Sequence, residues 1–427
     1  MSIEKDIPKL LNARVISPET AENIKEYYKI KDNSSSNRLF VVFGIIGAIL
    51  VGLGIILIIA HNWDGLSRFV KTSFAFLPLL LGQVICGFVL IKKRNEIAWR
   101  ESATVFLFLS VGSSISLVSQ IYNIPGDISS FMSTWMLLCL PLIYIMKSSS
   151  ASLLYLIGIT YYAVETGYWT YPSSESFLFW ILLLLALPHY LILFKRKPTG
   201  NLTIFHNWIF TLSVIISLGT VAKENEELMN IGYLSLFSLF YLIGDSKFFK
   251  YQNIKNNAYK LFGSVGSIGL LLFLSFDWFW EDIQSTDWQF NIWIISPEFV
   301  FSAILSILAL ILLYLHQKDK SLYEIKPQSY VFILFILVFS IGLYSLFAVW
   351  LINLMIFLFG IYTMWKGSKM KHLGILNYGL LIITALIICR FFDTNLSFIV
   401  RGILFVSVGV GFFASNYWLI KQKRSNE

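Results

Sequence analysis

The chain has 427 residues, of which 56% are hydrophobic and only 14% charged, with a mean hydropathy of +0.70. A soluble globule carries roughly 25% charged residues, so this composition excludes a water-facing surface over most of the molecule. The net charge of +8 does not signal nucleic acid, because the basic residues sit in short loops between apolar blocks, where positive charge sets membrane orientation.

Residues 1–38 come first and are polar. Ile3, Ile7, Leu10 and Leu11 form an apolar stripe at helical spacing, and a turn follows at Asn12 to Ile16. Ser17-Pro18-Glu19 then supplies a capping hydroxyl, a proline at the first helical position and a carboxylate at the positive helix end. Ala21, Ile24, Tyr27 and Tyr28 continue a second stripe. The pattern predicts a short cytoplasmic helical hairpin, with Asn33-Ser34-Ser35-Ser36 as a flexible link to the membrane. No cleavable signal peptide is expected, since the first apolar segment is too long for one.

Apolar segments follow at about 39–60, 69–91, 102–122, 131–146, 151–171, 176–194, 202–221, 228–244, 259–278, 299–315, 329–347, 349–365, 372–390 and 396–419. Leu39 to Ala60 holds no charge; at 1.5 Å per residue it spans roughly 33 Å, enough to cross a hydrocarbon core of roughly 30 Å. Lipid offers no partner to backbone N–H and C=O groups, so each segment must be helical. The fold class expected is therefore all-α: a polytopic bundle of about fourteen transmembrane helices over 39–420, with the hairpin and linker before it and a cytoplasmic tail at 421–427. The segments 329–347 and 349–365 are separated by a residue or two, so a re-entrant pair or one broken helix is the alternative there.

Counting from a cytoplasmic N-terminus, 28 of the 33 basic residues fall on the inner side. That asymmetry places both termini in the cytoplasm and loops 123–130, 223–227 and 279–298 outside. Trp63, Trp99, Trp169, Trp278, Trp280 and Trp418 sit near segment ends, as interfacial anchors do. Cys86, Cys139 and Cys389 lie in or at the ends of apolar segments with no C-x-x-C spacing, so neither a disulfide framework nor a metal site is expected. Gly44-x-x-Gly47 opens the first segment and Gly263-x-x-Gly266 the ninth. The pair fits two parallel halves, 39–194 and 259–419, of the kind found in transporters, or more plainly glycines chosen for close helix packing.

The arm V-I-S-P-E-T-A-E-N-I-K-E-Y-Y leads into a glycine-rich helix that closes with Ala60-His61-Asn62-Trp63-Asp64-Gly65-Leu66-Ser67. Ser119-Gln120-Ile121-Tyr122-Asn123-Ile124-Pro125-Gly126-Asp127, Trp135 and Leu140-Pro141-Leu142 follow. These stretches resemble the DUF2157 family of bacterial membrane proteins over the arm and the first four or five helices. The resemblance implies a multi-pass protein of the bacterial cytoplasmic (inner) membrane. It carries over no activity, cofactor or site residue.

No H-E-x-x-H, P-loop or G-x-S-x-G motif is present, and the five histidines are scattered, which leans away from an enzyme and names no catalytic residue. Polar residues near lipid are expensive and mark candidate sites. They concentrate at the outer ends: His61, Asn62, Asp64, Arg68, Gln120, Tyr122, Glu165, Arg390, Asp393 and Arg401. One reading has them converge on an outward-facing pocket for a polar or anionic group, with Asp393 accepting from Arg390 or Arg401. The other has them cap helix ends and snorkel. His189 after Pro188 reads as a kinked or capped end, and Asn353 as an interhelical hydrogen bond. Three functions remain in order: a transporter- or flippase-like protein for a small solute or lipid-linked substrate; a membrane-embedded enzyme acting on an envelope lipid or glycan, with Asp64, Glu165 or Asp393 as acid/base groups; and a non-catalytic scaffold or sensor. The expected partner is membrane lipid, with no nucleic acid and no cofactor; the sequence leaves the oligomeric state open.

Overall fold

The computed structural model describes residues 7–13, 15–24, 63–169, 175–249, 252–285, 293–318, 326–391 and 397–413, apart from 404, 408 and 412 in the last stretch. No strand occurs among them. The chain divides into two compact units, Met1–Phe76 and Leu77–Glu427.

In the first unit, α1 is Ile7–Asn12 and α2 spans 18–24. The Ser17 Oγ accepts from the Thr20 N–H at 3.1 Å, so the expected cap is in place. Ile7 and Ala21 are buried. Tyr27, Tyr28, the linker and the segment 39–60 lie outside the described residues, and so do Gly44 and Gly47. A 3-10 turn, Trp63–Gly65, precedes α3, Arg68–Lys92, which continues into the second unit.

The second unit runs through α4 (Ile97–Tyr122), α5 (Ile128–Ile145), α6 (Ser149–Val164), α7 (Leu178–Arg196), α8 (Asn201–Leu218), α9 (Met229–Gly244), α10 (Ala258–Phe273), α11 (Trp278–Ser285), α12 (Pro297–Gln317), α13 (Pro327–Gly342), α14 (Phe347–Lys369), α15 (Leu373–Phe391) and α16 (Phe398–Gly411). Local chemistry sets many of the ends. Asn123 ends α4 in the left-handed region, its N–H returning to the Ser119 carbonyl. Asp127, Ser148, Asn257 and Ser296 accept N-terminal N–H groups of α5, α6, α10 and α12. The Ser130 N–H on Asp127, with the Ser129 and Ser130 hydroxyls, holds that carboxyl below the usual range.

Nine helices among the described residues are long and apolar enough to cross a membrane, or ten if α10 and α11 form one span. Two expectations change shape. The segment 259–278 is one span in the sequence reading, whereas α10 stops at Phe273 and α11 leaves at 73°. The bend has a packing cause: the Trp280 ring is fully buried against Gly342, and its indole N–H reaches back to the Leu274 carbonyl at 2.8 Å. What was expected as a plain outer loop from 279 therefore begins as a helix. The segments 329–347 and 349–365 are two helices, α13 and α14, separated by four residues. With 16 residues, α13 is about 24 Å long at 1.5 Å per residue, short of a core of about 30 Å.

Among the described residues the second unit has two large hydrophobic cores and a smaller one around Cys86, Val89, Ala103, Leu107 and Met146. Of the two large cores, one gathers Phe108, Tyr155, Phe179, Leu182, Leu236 and Phe240; the other gathers Leu234, Trp280, Phe332, Phe335, Ile352 and Ile356. Helix α9 contributes to both and is the most buried of the long helices. Small residues allow this. Gly232 meets Ser302, Ser235 meets Ser306 at 2.8 Å, and a Cβ on Gly263 would fall 2.4 Å from the Tyr241 backbone nitrogen. Gly263 and Gly266 thus serve close helix packing.

Candidate functional site

The residues expected at the outer ends are placed as follows. Asp64 sits in the turn Trp63–Gly65 and Arg68 opens α3; both are exposed. Gln120 and Tyr122 are exposed at the end of α4, and Glu165 is half-buried at the start of the π-turn Glu165–Trp169. Arg401 lies over the rings of Phe391 and Phe398. His61, Asn62 and Asp393 lie outside the described residues, and with them the expected Asp393 pairing. Arg390 is drawn into the bend after α10: its guanidinium donates to the Ser275 Oγ at 3.2 Å and stacks 4.7 Å over Phe276. Asn353 donates to the Ser275 carbonyl at 3.0 Å, the interhelical bond expected of it. Asn353 supplies a donor to a carbonyl that the broken helix leaves open, and Arg390 holds the side chain of the same residue.

The opposite helix ends, which carry the lysine-rich loops, hold a longer set of buried polar contacts. Glu101 of α4 accepts from the Ser148 hydroxyl at 2.5 Å and from the Ser149 and Ser150 N–H groups at 3.0 and 2.8 Å, closing the N-terminus of α6. Ser149 Oγ lies 3.4 Å from His189 Nε2, and the His189 and His206 rings are 6.3 Å apart. His189, beside Pro188 in α7, thus contacts α6 through Ser149 and lies near the His206 ring of α8. Tyr190 donates to Asn207 Oδ1 at 2.6 Å and shares a 2.7 Å hydrogen bond with Tyr259 of α10. His206 and Asn207 are fully buried, and His206 Nε2 and Asn207 Nδ2 have no partner among the described residues.

Beside this lies an ion-pair cluster. Asp245, just after α9, accepts from Lys260 of α10 at 2.9 Å and from Lys326, which leads into α13, through both carboxylate oxygens. Burial alone would raise the Asp245 carboxyl, but the two lysines outweigh it and hold it below the usual carboxylate range. The sequence signal was a single carboxylate among Lys247, Lys250, Lys255 and Lys260. Counting charges loop by loop passes over it, because the count weighs the lysines and ignores what they bind.

Between α7, α8, α9, α10 and α12 runs a cleft of about 570 Å³. Its walls are apolar, with Leu187, Val214, Leu239 and Leu308 typical, and Tyr190, Tyr259 and Ser246 stand at its basic end. From Trp180 to Phe194 along α7 it extends about 21 Å at 1.5 Å per residue, most of a hydrocarbon core of about 30 Å. Such a shape holds an extended apolar chain. Among the described residues no group of three or more His, Cys, Asp or Glu side chains is arranged to hold a metal.

Residues 8–152 match the sequence model of a family described as "Predicted membrane protein (DUF2157)". No curated protein and no solved structure matches the chain.

Proposed function

We propose that this multi-pass membrane protein handles a membrane lipid or lipid-linked molecule, as a transporter- or flippase-like protein does, with the substrate's apolar chain in the cleft between α7 and α12. The carrying observation is the cleft itself: it is apolar along about 21 Å of helix, with Tyr190 and Tyr259 among the residues at one end. A hydrophilic solute finds no hydrogen-bonding partner along such a wall, whereas a hydrocarbon chain gains packing. The reading sets the membrane as the bacterial inner membrane and puts the basic end, with both termini, in the cytoplasm, in keeping with the charge asymmetry. An enzyme of the outer face is the weaker reading, since the residues lining the cleft include no carboxylate to act as acid or base.

The test is to purify the protein in mild detergent and identify the lipid it retains by mass spectrometry. Near-stoichiometric enrichment of one lipid class over the bulk membrane, lost in a Leu187→Trp/Leu308→Trp variant that fills the cleft, is the expected result. Bulk membrane composition, unchanged by that variant, overturns the proposal.

A further inference from the structure

We propose that the lipid held in the cleft carries a phosphate group, and that Lys260, Lys326 and Lys366 receive it at the basic end. This rests on the lipid reading of the cleft and names the chemistry of its headgroup.

The cluster is next to the cleft through two adjacent residue pairs. Ser246 lines the cleft and follows Asp245; Tyr259 lines it and precedes Lys260. Tyr259 turns toward Tyr190 while Lys260 turns toward Asp245, so the start of α10 separates the two environments by one residue. No lysine lines the cleft among the described residues, so a head at the Tyr190–Tyr259 end meets the cluster by reaching past the start of α10.

The charge balance asks for an anion. Asp245 carries one negative charge against Lys260 and Lys326, and Lys366 of α14 lies 5.5 Å over the Tyr362 ring, close enough to interact with Asp245 and Lys260 electrostatically. Among the described residues Lys366 has no carboxylate in ion-pair contact, so the described part of the cluster carries a surplus of two positive charges. Lys260 and Lys326 keep only 34% and 28% of their side-chain surface exposed. One carboxylate shared by two partly shielded ammonium groups leaves room for a second anion beside them. Each ammonium has three donors, and one carboxylate with two oxygens does not saturate six. A phosphate supplies the missing acceptors through charge-assisted bonds. Basic pockets between helix ends on the cytoplasmic face suit lipid phosphates in this way.

The experiment uses the full-length protein in detergent, titrated with dioleoyl phosphatidylglycerol and dioleoylglycerol, which share the same chains and of which only the first carries a phosphate. The anionic lipid is expected to bind more tightly. The Lys366→Gln change leaves the Asp245 pairs intact and is expected to weaken the anionic lipid by about fivefold, the scale of one lysine's attraction to an anionic headgroup, while the phosphate-free lipid is unmoved. The Leu187→Trp/Leu308→Trp variant should lose both. If both lipids bind equally and the filled variant loses both, the phosphate assignment is wrong and the cleft reading stands. If the filled variant still binds both, the cleft reading falls and takes this one with it. A phosphatidylglycerol preference that survives Lys366→Gln and Lys260→Gln together places the anion elsewhere. Competition by inorganic phosphate at equal concentration shows a free-anion site and also overturns the proposal.

Discussion

At the basic end of the second unit, polar side chains tie different helices together: Glu101 joins α4 to α6, Tyr190 joins α7 to α8 and α10, and Asp245 joins α9 to α10 and α13. At the bend after α10 the polar contacts converge on one residue of a broken helix, Asn353 on the Ser275 carbonyl and Arg390 on its hydroxyl. The difference follows from what each end lacks. A helix bend leaves carbonyls without partners, and single donors repair it. Helix ends that converge around charged loops leave charges to be balanced, and only side chains from several helices can do that.

The comparison predicts a larger penalty for breaking the basic end. Asp245→Ala leaves two partly buried lysines without their counter-charge. A fully buried pair costs about 3–5 kcal/mol to break, and the remaining exposure of the lysines reduces the expected loss to about 2–3 kcal/mol, read as thermal stability in detergent. The pH dependence has a definite sign. The folded-state carboxyl lies below its unfolded value near 3.9, so its contribution is complete above that pH and is lost as pH falls through the lower folded value. Stability of the wild type should fall on acidification through this range more than that of Asp245→Asn.

Next in size is Gly263→Ala. The added Cβ would meet backbone atoms of α9 at 2.4 and 2.6 Å, and overpacking of that kind costs about 1–3 kcal/mol. Gly269, on the same helix, has nothing within 4 Å of such a Cβ, so Gly269→Ala should be neutral or stabilising by a few tenths of a kcal/mol. Equal effects at the two positions would mean that α9 and α10 are not packed as described.

Glu101→Gln removes the charge but keeps an acceptor at the α6 N-terminus, and about 1 kcal/mol of destabilisation is expected. Glu101→Ala, which also strands the Ser149 and Ser150 N–H groups, should cost about 2 kcal/mol. Smallest is Arg390→Lys, which keeps a donor near Ser275 and gives up the flat stacking on Phe276; about 0.5–1 kcal/mol is expected. A loss at Arg390→Lys larger than at Asp245→Ala would reverse the ranking of the two ends.

Much of this molecule was legible without coordinates. The apolar segments from 69 to 390 all correspond to helices, because lipid leaves the backbone no other way to satisfy its hydrogen bonds. Ser17 caps its helix in the manner that residue type dictates locally. The bend after Phe273 was not legible, since it depends on Trp280 finding Gly342, 62 positions away in the chain. Nor was the cleft, which no one helix contains.

The sequence by itself determined that this chain is a helical membrane protein, and where most of its helices begin and end, because hydrophobic length and capping chemistry act within a few neighbouring residues. It drew attention to the outer polar residues because they interrupt apolar runs. Tertiary structure alone decided that Glu101, His189, His206, Tyr190 and Asp245 belong together near the basic end, each at or near the end of its helix and unremarkable there in sequence. The physical reason is that a buried polar group is stabilised by whichever partner lies across the helix interface, and that partner is fixed by packing between segments far apart in the chain.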